Sequence, residues 1–168
     1  EMRNKFELPN FILKMSENNW LGDKTKQGFY KKSKDTNGER LIEALNLKTL
    51  EYAPKQKVKF GTIAAAKQEE NLLKRLKILV QGKDKAGEFY RKSFYSCFAY
   101  VSHRIPEITD DLYKIDRALC AGFGWKIGPF QMWDTLNVEK TLSKMEETGF
   151  KAADWVYDMV QSGNTSFY

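Results

Sequence analysis

Cysteine is scarce in this chain: Cys97 and Cys120 are the whole supply, and no metal-like spacing joins them. That excludes a disulfide-built secreted scaffold, which would carry more. It leaves two small thiols in apolar, helical stretches, read as reduced and buried in an intracellular protein. Histidine is scarcer still. His103 stands alone at the end of a helical stretch, just before Ile105-Pro106. Its spacing from Ser93 and Cys97 scatters the three around a helix, so they make no nucleophile and base, and His103 reads as a structural or surface residue. Long apolar runs are missing as well: none approaches the ~20 residues that cross a bilayer. The opening EMRNKFELPNFI lacks the charged start, apolar middle and small-residue cleavage site of a secretory signal. The chain reads as soluble and cytoplasmic.

Charge is what the sequence has in plenty. Its 28 basic and 22 acidic residues leave a net +6, an excess that could serve nucleic acid or a phosphate-bearing cofactor such as coenzyme A. The lysines are interspersed with Glu and Asp, as in KQEENLLKRLK, which is the pattern of a solvated helix face rather than of a nucleic-acid surface. The aromatic run FYRKSFYSCFAY has a core-like repeat and few cations, so base stacking is set aside. At 168 residues the chain is one domain, or one domain and a piece of another. It is long enough to bury roughly 70% of its unfolded surface.

Periodicity makes the chain mainly α. Residues 8–19 place Phe11, Ile12, Met15 and Asn19 at helical spacing behind Pro9. A Gly-punctuated segment then leads to a short strand, and SKDTNG predicts a hairpin whose Asn37-Gly38 pair supplies the positive φ angles of a tight turn. ERLIEALNLKTLEYAP allows helix by composition, but its place after that turn favours a returning strand and a second turn at NLKT, ended by Pro54. From Thr62 the pattern is helical. TIAAAKQEENLLKRLKILVQG predicts one helix with Leu72, Leu73, Leu76, Leu79 and Val80 on a stripe and Gly82 as C-terminal cap. The next helix aligns Phe94, Cys97, Phe98 and Val101 and cannot pass Pro106. A third starts at Thr109-Asp110-Asp111 and aligns Leu112, Ile115, Leu119 and Gly122. VEKTLSKMEETG and AADWVYDMVQSG make two more.

The densest apolar stretch is GFGWKIGPFQMWD, residues 122–134. Its first glycines end a helix, Gly128 before a proline avoids the α region, and Pro129 suits the first turn of a new helix. Phe130 and Trp133 then lie three apart on the new helix, while Trp125 and Ile127 fall on the corner, where they are expected to plug the gap. A fully buried Trp125 would cost ~3–5 kcal/mol on truncation to Ala. One further pattern is a repeat. Met15 set over Met159 puts Phe11 over Trp155 and Asn19 over Gly163, and Phe29-Tyr30 meets Phe167-Tyr168 after a short deletion. The chain is therefore expected to begin in the tail of one unit, end in the tail of another, and derive from a longer protein.

These residues resemble the C-terminal helical domain of the 3-hydroxyacyl-CoA dehydrogenases of fatty-acid β-oxidation. The family's Asp, Gly-Phe, Gly-Pro-Phe and Asp are matched by Asp116, Gly122-Phe123, Gly128-Pro129-Phe130 and Asp134. Its closing segment is matched by Leu21-Gly22, Lys24-Thr25 and Gly28-Phe29-Tyr30. The resemblance implies a helical domain like the C-terminal domain of 6-phosphogluconate dehydrogenase, with a small β-hairpin near the front. It implies three parts: residues 1–32 as the tail of a first such domain, 33–60 as hairpin and linker, and 61–168 as a second domain.

It also implies an enzyme that oxidises 3-hydroxyacyl-CoA to 3-ketoacyl-CoA with NAD, whose NAD domain and catalytic His–Glu pair lie outside this chain. No Gly-x-Gly-x-x-Gly stretch occurs here. Where the family's substrate-orienting Asn would stand, GEFYRK has Arg91, which suggests a copy kept for packing or assembly. Asp116 and Asp134 have structural counterparts in the family, and Asp116 is expected to favour the positive end of its own helix. Lys24 and Lys26 read as a solvated loop rather than a coenzyme A phosphate site. No catalytic, cofactor-binding or metal-ligating residue is assigned. The expected partners are the missing NAD domain of the same chain, the acyl-CoA substrate and a second copy of the protein. No nucleic acid is expected. The competing reading is a standalone α-helical interaction module without catalysis.

Overall fold

The computed structural model describes residues 6–168. Residues 1–5, which open both the 1–32 segment and the stretch tested for a secretory signal, lie outside the described residues. Contacts divide the chain into two units, Glu1–Val58 and Lys59–Tyr168.

The first unit holds helix α1 (Asn10–Glu17) and an antiparallel sheet of β1 (Tyr30–Lys34), β2 (Arg40–Leu45) and β3 (Tyr52–Pro54), in the order β1-β2-β3. The predicted hairpin is thus a three-stranded meander. Tyr30 pairs with Ala44 and Lys34 with Arg40, so five residues form the first loop rather than a two-residue turn. Asp35 explains the difference: its carboxylate accepts from the backbone N–H groups of Asn37 and Glu39, both at 2.9 Å. That Asx-type loop needs a positive φ only at Gly38 (81°), and Asn37 stays out of the left-handed region. NLKT does turn the chain, and Pro54 sits at the end of an edge strand, where a missing N–H is tolerated. The closing motif also has a physical reason. A Cβ on Gly28 would stand 2.7 Å from Gly22 Cα, so the two glycines bring backbone against backbone. Thr25 Oγ1 knots the same loop by accepting from Leu21 N–H at 2.9 Å and donating to the Gln27 carbonyl at 3.0 Å. Lys24 and Lys26 point to solvent.

The second unit is helical: α2 (Gly61–Gln68), α3 (Leu72–Gln81), α4 (Lys85–Ser102), α5 (Leu112–Phe123), α6 (Pro129–Leu136), α7 (Val138–Glu147) and α8 (Asp154–Gln161). Together with the sheet of the first unit this makes the chain mainly α, as the periodicity requires. The single helix expected from Thr62 is two. Asn71 caps α3 by accepting from Lys74 N–H at 3.0 Å, and the Arg75 guanidinium donates to the Glu69 carbonyl at 2.6 and 2.9 Å, so side chains satisfy the broken turn. Leu73 consequently lies exposed, off the buried stripe of Leu76 and Leu79. Gly82 does cap α3, its N–H donating to the Ile78 carbonyl at 3.1 Å, but not in the left-handed geometry. Its φ is −55°. It is glycine because a Cβ there would collide with the Thr62 side chain, and one on Gly87 would collide with the Gly82 carbonyl. Asp84 fixes this junction: one carboxylate oxygen caps α4 at Gly87 N–H and the other accepts from Thr62 N–H, each at 3.0 Å.

The core joins α4, α6, α7 and α8 around Phe98, Phe130, Trp133, Val138, Met145 and Val156, all fully buried. No helix among the described residues is long and apolar enough to cross a membrane.

Candidate functional site: a carboxylate-braced helix corner

The stretch that stood out in the sequence forms the turn between α5 and α6. Gly124 (φ 66°) ends α5 in the left-handed geometry, and Gly128 (φ −84°, ψ 171°) stands extended before Pro129, the first residue of α6. The Gly128 N–H donates to the Gln131 side chain at 3.2 Å. Asp116, buried on α5, does the bracing. Its two oxygens accept from Phe130 N–H at 2.9 Å and Gln131 N–H at 3.0 Å, two of the donors that the start of α6 leaves without a helical partner. So Asp116 serves the positive end of the next helix, not of its own. A Cβ on Gly128 would run into the Asp116 backbone and side chain, so only glycine allows the approach.

Asp134, on α6, braces the other end. It accepts from Phe167 N–H at 2.8 Å and Tyr168 N–H at 3.2 Å, and the Tyr168 hydroxyl returns to Asp116 at 3.2 Å. Two carboxylates 18 positions apart thereby share one strap, Phe167-Tyr168. Burial raises both carboxyls above the ordinary range, against the pull of the backbone N–H groups, and Asp116 adds to the rise at Asp134. Burial, and after it the Asp116 carboxylate, also lifts the Tyr168 hydroxyl, which stays a proton donor.

The aromatic residues of the stretch part company. Phe130 and Trp133 are core, with Trp133 stacked on Phe98 at 4.9 Å and 6°. Phe167 fits against both, at 5.0 Å from Phe130 and 5.3 Å from Trp133. The expected plug at the corner is half wrong. Ile127 packs on the core, but Trp125 is 39% exposed and pairs with Phe123, itself 69% exposed, at 5.8 Å. Asp116, packed against Gly128 and bonded to the start of α6, braces the corner without the indole.

No hydrogen bond joins Ser93, Cys97 and His103, the other residues weighed in the sequence, to one another. Ser93 is exposed, Cys97 half-buried, and His103 exposed at the end of α4 with its ring 3.3 Å from the Lys151 carbonyl. Arg91 has a task that its type did not announce: it donates to the Val80 carbonyl at 2.8 Å and to the Gly82 carbonyl, closing the end of α3. Ser102 was missed altogether. Its hydroxyl accepts from Ala153 N–H and its carbonyl from the Trp155 indole, both at 2.9 Å, pinning the start of α8 to α4. Small polar residues inside an apolar stripe are the one sequence cue for such a pin.

Cys97 lies in this environment too. Burial, and after it the Asp116 carboxylate, pushes its thiol from 9.0 up to about 11. The thiolate fraction below that range is then about 100-fold smaller than for an open cysteine. Iodoacetamide should therefore alkylate Cys97 in the folded chain at least about 100-fold more slowly than in urea at the same pH. Peptide mass spectrometry reads the rate, and equal rates would contradict the assignment.

The fold and site define a helical unit closed by its own Phe-Tyr strap, with both acidic residues committed to backbone donors. Comparison with known proteins gives that class a place. The chain is 36% identical over 163 residues to a probable 3-hydroxyacyl-CoA dehydrogenase of Bacillus subtilis, a match over 97% of this chain and 20% of that protein. It is 29% identical over 119 residues to putative fatty acid oxidation complex trifunctional enzymes of Rickettsia prowazekii and Rickettsia felis, covering 71% of this chain and 15% of each. The chain is thus a relative of the 3-hydroxyacyl-CoA dehydrogenases, as the Asp, Gly-Pro-Phe and Gly-Phe-Tyr motifs indicated, and it spans between a seventh and a fifth of the curated relatives it matches. No family model and no solved structure matches it.

Proposed function

We propose that this chain is the helical C-terminal portion of a longer polypeptide, an NAD-dependent 3-hydroxyacyl-CoA dehydrogenase of fatty-acid β-oxidation. In it, residues 1–32 are the end of a first helical domain, 33–60 a linking segment that includes the sheet, and 61–168 a second helical domain. The observation that carries this reading is the match along nearly the whole chain to a segment of a protein so named.

The residues present do not fit a dinucleotide. The sheet is an antiparallel meander of three short strands, whereas a dinucleotide fold needs a parallel strand, a glycine-rich turn and a helix whose N-terminus meets the pyrophosphate. Hydride transfer is assigned to the part of the polypeptide outside these residues. This chain then supplies surface to the acyl-CoA cleft or to assembly. Two features suit that role: the exposed Phe123–Trp125 pair, and an apolar groove of about 370 Å³ between α4 and α5, lined by Tyr100, Val101, Ile108, Ile115 and Leu119.

The test is an assay of the longer polypeptide with acetoacetyl-CoA and NADH. Oxidation of NADH is expected, and its absence would refute the enzyme. The 168-residue chain by itself is expected to bind no NAD in a calorimetric titration, and micromolar binding would overturn that part. The exposed aromatic pair also favours a second reading, an interaction module with no enzyme attached. A start codon immediately upstream of Glu1 in the genomic frame would select it, and a glycine-rich nucleotide-binding fold there would exclude it.

A further inference from the structure

The repeat seen in the sequence is also a repeat of geometry. Helices α1 (Asn10–Glu17) and α8 (Asp154–Gln161) have equal length at one fixed offset along the chain. Their flanking hydrogen bonds agree: Ile12 N–H to the Pro9 carbonyl at 2.9 Å matches Val156 N–H to Ala153 at 3.0 Å, and Trp20 N–H to Met15 at 2.8 Å matches Asn164 N–H to Met159 at 3.1 Å. Both helices are followed by a positive φ, 58° at Asn19 and 91° at Gly163. The aromatic contact recurs as well. Phe11 meets Phe29 edge-on at 6.4 Å and 68°, and Trp155 meets Phe167 at 5.9 Å and 62°.

There the likeness stops. Phe167 is walled in by Phe130 and Trp133, and its N–H is held by Asp134. Ala152 and Val156, at the positions of Leu8 and Ile12, are fully buried in the same unit. In the first unit Phe29 is 48% exposed and Leu8 61% exposed, and with Ile12, Leu13, Met15 and Trp20 they line an open groove of about 400 Å³. The strap and its helix are present, and the corner that receives them is not among the described residues 6–58.

We propose that this groove is the docking face for a helix corner of the same kind as residues 116–134, carried by the segment of the longer polypeptide that precedes Glu1. Phe29 fills a slot between a Phe and a Trp equivalent to Phe130 and Trp133, and the N–H groups of Phe29-Tyr30 meet a carboxylate equivalent to Asp134. The occupant is identified by what covers the matching strap in the second unit, and a relative five times the length of this chain has room to supply it. The inference rests on the reading of this chain as part of a longer polypeptide, not on the chemistry that polypeptide performs.

Two measurements on the longer polypeptide test it. In the first, a photo-crosslinking benzoylphenylalanine replaces Leu13, on the groove wall. Crosslinks to peptides upstream of Glu1 within the same molecule are expected. Crosslinks into residues 59–168, crosslinks to a second molecule, or none at all would each overturn the proposal. In the second, Phe29→Ala is introduced into the longer polypeptide and, separately, into the 168-residue chain. The melting midpoint should fall by several degrees in the longer polypeptide and by less than about one degree in the shorter chain. Equal shifts, or no shift in either, would show that nothing upstream covers the face. NADH oxidation by the unsubstituted longer polypeptide is read separately. Its absence alongside upstream crosslinks sinks the dehydrogenase and leaves the docking face standing, and the reverse result does the opposite.

Discussion

Trp133→Ala should remove about 3–5 kcal/mol of unfolding free energy, the cost of emptying a fully packed aromatic site. Trp133 is 0% exposed, lies flat on Phe98 and touches Phe167, so truncation opens a cavity between α4, α6 and the strap at once. Denaturant unfolding followed by circular dichroism reads the loss. Two comparisons sharpen it. Trp133→Phe should cost far less, about 1–2 kcal/mol. It keeps most of the ring and removes an indole N–H that is buried without a protein partner among the described residues. Trp125→Ala should change stability by less than about 1 kcal/mol, because its indole is at the surface. If the two Trp→Ala substitutions cost the same, the division of the aromatic stretch into core and surface is wrong.

The second large effect is at Asp116. Asp116→Ala leaves two backbone donors at the start of α6 without their acceptor, one of them buried, and deprives the Tyr168 hydroxyl of its partner. Hydrogen bonds to a charged group are worth about 1.5–3 kcal/mol each and do not add fully, so a loss of about 3 kcal/mol is expected. Tyr168→Phe should cost less, and in a double-mutant cycle its effect should vanish in the Asp116→Ala background.

The charge of Asp116 has its own signature. Burial raises its folded pKa above the unfolded value of 3.8, so the folded chain holds this proton more tightly than the unfolded chain. A group of that kind contributes most below the unfolded pKa and loses its contribution as pH rises through the folded one. The stability gap between the unsubstituted chain and Asp116→Asn should therefore narrow as pH climbs from below 3.8 through the raised value. A gap that widens would mean that the three hydrogen bonds outweigh burial.

Much of the fold was legible in the residues. Pro9, Pro106 and Pro129 marked helix borders because a proline ring cannot sit inside a helix, and the apolar stripe of α4 named Phe98 and Val101 as core. The repeat was legible because the two helices keep the same apolar spacing and each is followed by a Phe-Tyr pair, six residues nearer in the second unit. What was not legible depended on partners far along the chain. Nothing in the text of residues 69–71 separates a continuous helix from the Asn71-capped break, since Glu and Asn serve either. Trp125 and Trp133 look alike as letters, and only the packing of α6 against α4 separates the buried one from the exposed one.

Local sequence determined where helices start and stop, which motifs recur and which family the chain resembles, because backbone sterics and apolar periodicity act within a few residues. Tertiary structure alone decided which donors Asp116 and Asp134 hold, that Arg91 closes α3, and that Phe167 packs half-buried against the core while Phe29 is 48% exposed. A carboxylate can cap any helix whose N-terminus reaches it, and a phenylalanine is core only where other side chains surround it. Those are facts of packing in space, and the order of residues along the chain does not carry them.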